Sequence, residues 1–440
     1  MATKIRTKNL KDSEIEWIGK IPRDWSTQRL KNVCNINANT LPETISPDRV
    51  IRYLDIGDVA ANGKQNEPTE YRFKDAPSRA RRIVQDDSVA VATVRTYLKA
   101  ITYFHKPENL IVSTGFAVLD PNKSISGKYL YYLASAEPFI QDVVRHSTGV
   151  SYPAIAPTDL GKLLTVVPPL KDQQILVGLL DTKISTIDHA IEQKYKLIDL
   201  LKEKRTAIIN HAVTRGLDEN VELVDSGVEW IGKVPKGWSV TRLKYVGNKP
   251  MQYGANEAVT EFEINSDQPR FIRITDINED GDLRKDTFVS LPEDVAKNYI
   301  LHEGDLLLAR SGATVGKTFK YKNEWGRCCF AGYLIRLSVD RKKADVDFID
   351  YIFKSVYYSS WVSSIFIQAT IQNVSAEKYK EFIVFLPSLQ EQKRIIAHLN
   401  QVTGNINSAV RLVLQSIELL SEYRTSLISQ VVTGKVEVTS

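Results

Sequence analysis

Glycines, hydroxyls and a lysine follow an apolar run in Gly304-Asp305-Leu306-Leu307-Leu308-Ala309-Arg310-Ser311-Gly312-Ala313-Thr314-Val315-Gly316-Lys317-Thr318. Such a stretch could cradle a phosphate. A nucleotide loop needs four residues between its first glycine and the Gly-Lys pair, so that successive backbone N–H groups converge on the phosphates. Here there are three, with Ser311 where the glycine should stand, and no strand ends in an acidic residue to complete the site. What remains is Arg310, Ser311, Thr314 and Lys317 on one loop, groups suited to a phosphate oxygen or a guanine edge. Earlier in the chain Thr93 to Lys99 offers Arg95, Thr96, Tyr97 and Lys99 in the equivalent place. Two later polar stretches add Ser147, Ser151 and Tyr152 in one case and Gln372 and Asn373 in the other, the amides matching an adenine edge. The densest basic cluster is Arg79, Arg81 and Arg82.

Catalytic constellations do not assemble. His105, His146, His189, His211, His302 and His398 show neither metal nor triad spacing. Glu391-Gln392-Lys393 has the outline of a nuclease motif, but its counterpart Asp172-Gln173-Gln174 lacks the lysine. No Asn-Pro-Pro-aromatic motif or glycine-rich cofactor loop of an amino-methyltransferase is found. The cysteines, Cys34, Cys328 and Cys329, are odd in number with two adjacent, which offers neither a disulfide framework nor a zinc pattern. The expectation is a chain with no catalytic residues, no metal and no cofactor of its own. A net charge of +5 in 440 residues is spread from +4 over residues 1–33 to −2 over residues 247–383, so any nucleic-acid face must come from local clustering. Met1 to Leu10 is polar and basic and no run approaches the roughly 18 apolar residues of a span, which points to a cytoplasmic protein with no membrane partner.

The elements that must position these loops are written twice. Residues 12–33 match residues 225–246 at 14 of 22 positions, from Asp12-Ser13 through Glu16-Trp17-Ile18-Gly19-Lys20 to Arg29-Leu30-Lys31. A second repeat pairs Pro168-Pro169-Leu170-Lys171-Asp172-Gln173 with Pro387-Ser388-Leu389-Gln390-Glu391-Gln392 and runs ungapped to Val213-Thr214 and Val432-Thr433. Between them the copies match only in traces. Repetition of this kind decides the architecture: a duplicated frame carries two diverged inserts.

Behind each proline pair lies one long helix with a heptad seam. The first is Leu180, Ile184, Ile187, Ile191, Lys194, Ile198, Leu201, Arg205, Ile208 and Ala212; the second is Leu399, Thr403, Ile406, Val410, Val413, Ile417, Leu420, Arg424, Leu427 and Val431. Each stripe either covers its own domain or meets the other helix, and a length of roughly 50 Å at 1.5 Å per residue favours the pairing. Arg205 and Arg424 are the polar intrusion both seams share; each either snorkels to solvent or sets register or meets a partner. The inserts read as mixed α/β, with strands at Val50 to Ile56, Ser88 to Val94, Ile111 to Leu119, Arg270 to Ile277, Asp305 to Ala309 and Ala331 to Val339, and helices at Lys128 to Val144 and Asp347 to Phe366. The expected division is an arm over 1–33, an insert over 34–165, a central helix over 166–217, the repeated arm over 218–246, a second insert over 247–383 and a C-terminal helix over 384–440.

The duplicated Glu-Trp-Ile-Gly-Lys at 16–20 and 229–233, the run Gly304 to Lys317 and the boundaries at 168–173 and 387–392 together resemble the specificity subunit of type I restriction–modification systems, over essentially the whole chain. The resemblance implies an α+β protein: two globular α/β target-recognition domains separated by two long helices that form an antiparallel coiled coil, with an internal pseudo-twofold repeat. It implies that each domain reads one half of a split, asymmetric site in double-stranded DNA. Two modification (methyltransferase) subunits using S-adenosylmethionine would dock on the frame, and restriction subunits would add cleavage driven by ATP and Mg. The first insert departs from the family's glycine-rich loop, with Arg95-Thr96-Tyr97-Leu98-Lys99 in its place. A freestanding DNA-binding repressor and an interaction scaffold without DNA binding are the rival readings.

Overall fold

A computed structural model describes residues 10–436 apart from 17, 43, 229, 230, 258–266, 279, 280 and 368–372. Trp17, Trp230 and Gln372 therefore lie outside the described residues. The chain forms two compact units, Met1–Lys194 with Leu414–Ser440, and Tyr195–Val413. The central helix, Leu170–Arg215, and the C-terminal helix, Leu389–Val432, each contribute one segment to either unit. No helix among the described residues is long and apolar enough to cross a membrane.

Both units share one plan. In the first, a four-stranded sheet runs in the order Cys34–Ile36, Phe116–Pro121, Val89–Ala92, Ile101–Tyr103; in the second the order is Gln252–Tyr253, Leu334–Leu337, Leu306–Ala309, Thr318–Lys320. A parallel pair accompanies each, Val50–Leu54 with Leu110–Ser113 and Arg270–Ile272 with Cys328–Phe330. The single strand expected over Ile111 to Leu119 is two strands in different sheets, parted at Thr114-Gly115. The helix expected over Lys128 to Val144 is likewise two, Gly127–Ser135 and Glu137–Arg145, with Pro138 in the first turn of the second, where its missing N–H costs nothing. The second unit breaks at the same place, between Val346–Phe353 and Val356–Ile367, where the Ser355 hydroxyl caps the new helix at the Tyr358 N–H.

The frame closes the base of each insert. Its arm supplies a strand, Ser26–Arg29 or Ser239–Arg242, that pairs with the strand ending the insert, Leu164–Val167 or Ile383–Leu386. Buried Trp25 donates Nε1–H to Asp172 in the first turn of the central helix at 3.2 Å, and Trp238 does the same to Glu391 of the C-terminal helix at 3.2 Å. Gly434, just past the C-terminal helix, lies against Trp25, and Gly216, just past the central helix, lies against Trp238. Both glycines sit at positive φ, +69° and +77°, the conformation that ends a helix without a Cβ penalty. Within each unit the two helix segments consequently run antiparallel. Arg424 meets Asp188 at 2.9 Å while Gly434 lies beside Trp25, and Arg205 meets Asn407 at 2.9 Å while Gly216 lies beside Glu391. The shared arginines thus reach across to the facing helix segment instead of snorkelling to solvent.

The seam packs on its own domain and on the facing helix together. Leu180, Ile184 and Ile187 join one core with Trp25, Tyr129, Leu133, Ile428 and Val431, and Ile191, Leu420 and Leu427 border it. Ile198, Leu399, Ile406 and Ile417 are buried, whereas Leu201, Val410 and Ile208 are partly covered. Near the ends Ile209 and Ile428 are buried in preference to Ile208 and Leu427. A straight helix drifts about 20° per heptad from a 3.5-residue repeat, so after four heptads the buried position has moved by nearly one residue.

A buried glutamine anchors each insert helix to the frame. Gln173 accepts from the N–H of Ser126, the N-cap of Gly127–Ser135, and donates to the Ser124 and Pro168 carbonyls; Gln392 accepts from the N–H of Asp345, the N-cap of Val346–Phe353, and donates to Pro387. About two turns on, Tyr132 donates to Asp181 at 2.6 Å and Tyr351 to Asn400 at 2.7 Å. Under the sheet, the Ser88 hydroxyl donates to Asp120 in the first unit, while Ser338 donates to Asp305 in the second. Donor and acceptor have changed places between equivalent positions, since Ser88 and Asp305 each precede the same strand and each accept an N–H three residues back.

Two outcomes follow. Gln173→Leu leaves one N–H and two carbonyls without their partner and should cost about 3 kcal/mol or more, at roughly 1–3 per buried orphan, seen as faster amide exchange in Gly127–Ser135; Gln392→Leu should cost less. Unchanged protection would show that the glutamine is no anchor. Ser88→Asp alone sets two carboxylates together and should destabilise the first unit, whereas Ser88→Asp with Asp120→Ser should recover most of the loss in a double-mutant cycle; additive losses would contradict the exchange.

Candidate nucleic-acid interface

Two loops separated widely in sequence are joined in each unit by the same backbone bond. Ile155 N–H donates to the Thr93 carbonyl at 2.9 Å, and Val374 N–H to the Arg310 carbonyl at 2.8 Å. Beside it runs the same isolated bridge, Val94 with Ala154 and Ser311 with Asn373. The strand end therefore delivers one loop and the segment before the closing strand delivers the other, side by side.

In the first unit this brings together Arg95, Thr96, Tyr97, Lys99, Ser147, Ser151 and Tyr152. Arg95 is exposed, takes an N–H bond to Pro153 at 2.8 Å and lays its guanidinium over Tyr152, 4.6 Å from the ring centroid. Tyr97, Ser151 and Tyr152 are exposed. Thr96 is buried, with its hydroxyl 3.1 Å from that of Ser147, which itself donates to Val143; these two serve the loop's own shape. Lys99 is bound to Glu137 at 2.6 Å; burial works against the carboxylate, yet the Lys99 hydrogen bond holds the Glu137 carboxyl below its ordinary range.

The loop in the first unit departs from glycine in sequence but not in backbone. Arg95 and Lys99 stand at φ +50° and +56°, where the second unit has Gly312 and Gly316 at +76° and +81°. Left-handed backbone at a side-chain-bearing residue costs roughly 1–2 kcal/mol, and such strain collects where a side chain must be aimed.

The second unit brings together Arg310, Ser311, Thr314, Lys317 and Asn373. Arg310 lies over Tyr253 at 4.7 Å, Lys317 is exposed, and Ser311, Thr314 and Asn373 are half-buried. The Arg310 Nε and the Asn373 Oδ1 are buried without a hydrogen-bond partner among the described residues, a state native proteins rarely leave unexplained. The run over Gly304 to Thr318 is a strand, a single 3-10 turn at Gly312–Thr314 and a second strand, not the strand-to-helix passage that a phosphate cradle requires.

The basic cluster is divided by the strand Ala80–Ile83, whose alternation sends neighbours to opposite faces. Arg81 covers Phe73 at 4.8 Å and Arg82 donates to Thr40 at 2.9 Å. Arg79 is exposed, and its carbonyl accepts the Thr114 N–H, next to Gly115 whose carbonyl accepts from Thr93; of the three it borders the joined loops. Sequence reasoning passed over Tyr253 and Tyr333, the latter 64% exposed with its carbonyl accepting the Arg310 N–H. Their only signal was an aromatic in a polar setting, since what places them is pairing across the sheet. The three thiols are buried, and burial pushes each up to about 12, which leaves them unreactive. Among the described residues no group of three or more His, Cys, Asp or Glu could hold a metal ion.

Residues 22–198 and 235–417 match the family described as type I restriction modification DNA specificity domain. Similar curated proteins include the type I restriction enzyme MjaVIII specificity subunit of Methanocaldococcus jannaschii, 23% identical over 75% of each chain. The putative MjaX specificity subunit of the same organism is 22% identical over 98% of each, and the EcoKI specificity subunit of Escherichia coli K12 is 20% identical over 95% of this chain and 90% of the relative. The fold is shared with the HsdS subunit of Thermoanaerobacter tengcongensis, at a TM-score of 0.52 and 21% identity over 94% of this chain and 98% of that one. It is shared more closely with a chain from a study of complex assembly and conformational transition in the type I restriction–modification system, at a TM-score of 0.73 and 22% identity over 94% and 99%. With the match spanning both copies of the frame and both inserts, the chain belongs to the type I restriction–modification DNA specificity family.

Proposed function

We propose that this chain is the non-catalytic reader of a type I restriction–modification complex, each unit recognising one half of a bipartite duplex site. The observation that carries the reading is the joined loop pair: one backbone arrangement, built twice, presents Arg95, Tyr97 and Tyr152 in one unit and Arg310, Lys317 and Asn373 in the other. Equal frames with unlike side chains fit unlike half-sites. Arg79 adds a cation for phosphate beside the first pair. A repressor would need the loops but not the frame, and a scaffold would need the frame but not the loops.

The helices serve as spacer and as dock in this reading. Tyr195, Leu200 and Leu412 in the second unit, and Leu419 and Tyr423 in the first, leave large apolar side chains exposed on helices, surface that marks protein–protein contact when it is contiguous. Two modification subunits with S-adenosylmethionine would cover it, and restriction subunits would bring ATP and Mg. The work is done in the cytoplasm, where the duplex is.

Inserting four residues between Lys194 and Lys202 lengthens the central helix by about 6 Å and adds about 40° beyond a full turn, a break that heptad seams absorb by local unwinding. Mapped methylation by the complex with its modification subunits should show a nonspecific spacer longer by roughly one or two base pairs, with both half-sites intact. The purified chain alone should transfer no methyl group. An unchanged spacer in an active complex would remove the helices from the role of ruler, and methyl transfer by the chain alone would contradict the non-catalytic assignment.

A further inference from the structure

The two units reach one side-chain arrangement from different positions. Arg95 follows its strand by two residues more than Arg310 does, as the shared bonds at Thr93 and Arg310 fix the alignment. Arg95 takes its ring from the late loop, Tyr152, and Arg310 takes its ring from an early strand, Tyr253. Neither guanidinium has a carboxylate partner among the described residues, whereas Lys99, Arg273, Arg284, Lys320 and Arg327 nearby in their units each do. A purely structural stack would be inherited at one position, as the frame's bonds are. Here the position moved and the arrangement was kept, in the first unit on strained backbone at φ +50°.

We infer that Arg95 and Arg310 are the guanine-reading residues of the two units, and that Tyr152 and Tyr253 are positioning residues that fix the plane of each guanidinium. A stacked arginine keeps its outer edge free and its plane set, as bidentate bonding to guanine O6 and N7 in the major groove requires. A phosphate makes no such demand, because a lysine or a backbone N–H satisfies it from many angles. Tyr253 is itself held, its hydroxyl accepting the Ala376 N–H at 2.9 Å, so its ring cannot swing away with the arginine. Each half-site therefore contains a G·C pair, read by Arg95 in one and Arg310 in the other. The inference rests on the reading of the chain as a bipartite DNA reader.

Selection from a randomised duplex pool by the full chain assembled with its modification subunits tests both levels. Wild type should recover one bipartite site with a G·C pair in each half. Arg310→Lys, which keeps charge but loses the fork, should lower the preference for that pair in its own half about tenfold or more and leave the other half unchanged; Arg95→Lys should do the converse. Arg95→Gly, which also relieves the backbone, should lose the same preference while the protein resists heat at least as well as wild type. Tyr253→Leu should weaken the preference with Arg310 still present, and Tyr253→Phe should retain most of it. Lysine variants that keep full discrimination, or a half-site without a G·C pair, would overturn the assignment and leave DNA reading intact. Recovery of no bipartite site by the wild type would overturn both.

Discussion

Everything in this chain depends on how the base of each insert is closed. A strand from the repeated arm pairs with the strand that ends the insert, an indole N–H meets the carboxylate in the first turn of one long helix, and a left-handed glycine ends the other helix against the same indole. Since the helix segments are antiparallel in each unit, the glycine comes from the opposite copy of the frame: Gly434 closes on Trp25 and Gly216 on Trp238. Neither unit is complete on one copy alone. With both ends of an insert fixed at one base, its interior is free to diverge without disturbing the helices.

Divergence has been selective in a way that physical cost explains. Where a bond supports the scaffold, both copies keep it, even with its chemistry reversed, as Ser88 with Asp120 and Asp305 with Ser338 show. At the loops the priority is inverted. The first unit accepts positive φ at Arg95 and Lys99 where glycine would be easier, and the second leaves Arg310 Nε and Asn373 Oδ1 without a partner among the described residues. Stability lost at those loops is what a surface that binds something else would show.

Repetition made the frame legible in the sequence, because the same residues at the same spacing had to do the same work twice. The helices and their pairing were readable from it, and the α+β plan was implied by the family resemblance. Near the helix ends burial extends one residue past the seam to Ile209 and Ile428, with Ala212 and Val431 still buried, because a heptad count assumes 3.5 residues per turn throughout. Ile111 to Leu119 read as one strand since its branched run continues across Thr114-Gly115, and only sheet membership shows the break. Within the loops, residue type alone could not separate Thr96, Ser147 and Lys99, which are occupied with one another and with Glu137, from Arg95 and Tyr152. Tyr253 was beyond reach for the same reason: its partner Arg310 is distant in sequence, and no periodicity connects them.

The central claim is that the inserts are independent reading heads on one fixed frame, and methylation mapping of a chimera addresses it most directly. Residues 247–383 in place of residues 34–165, with the arms and both helices native, would put the second insert in both positions. The account predicts an active complex that modifies a site with the second half-site on both sides of a spacer of unchanged length. A folded, active chimera that still reads the original first half-site, or whose spacer changes, would contradict it.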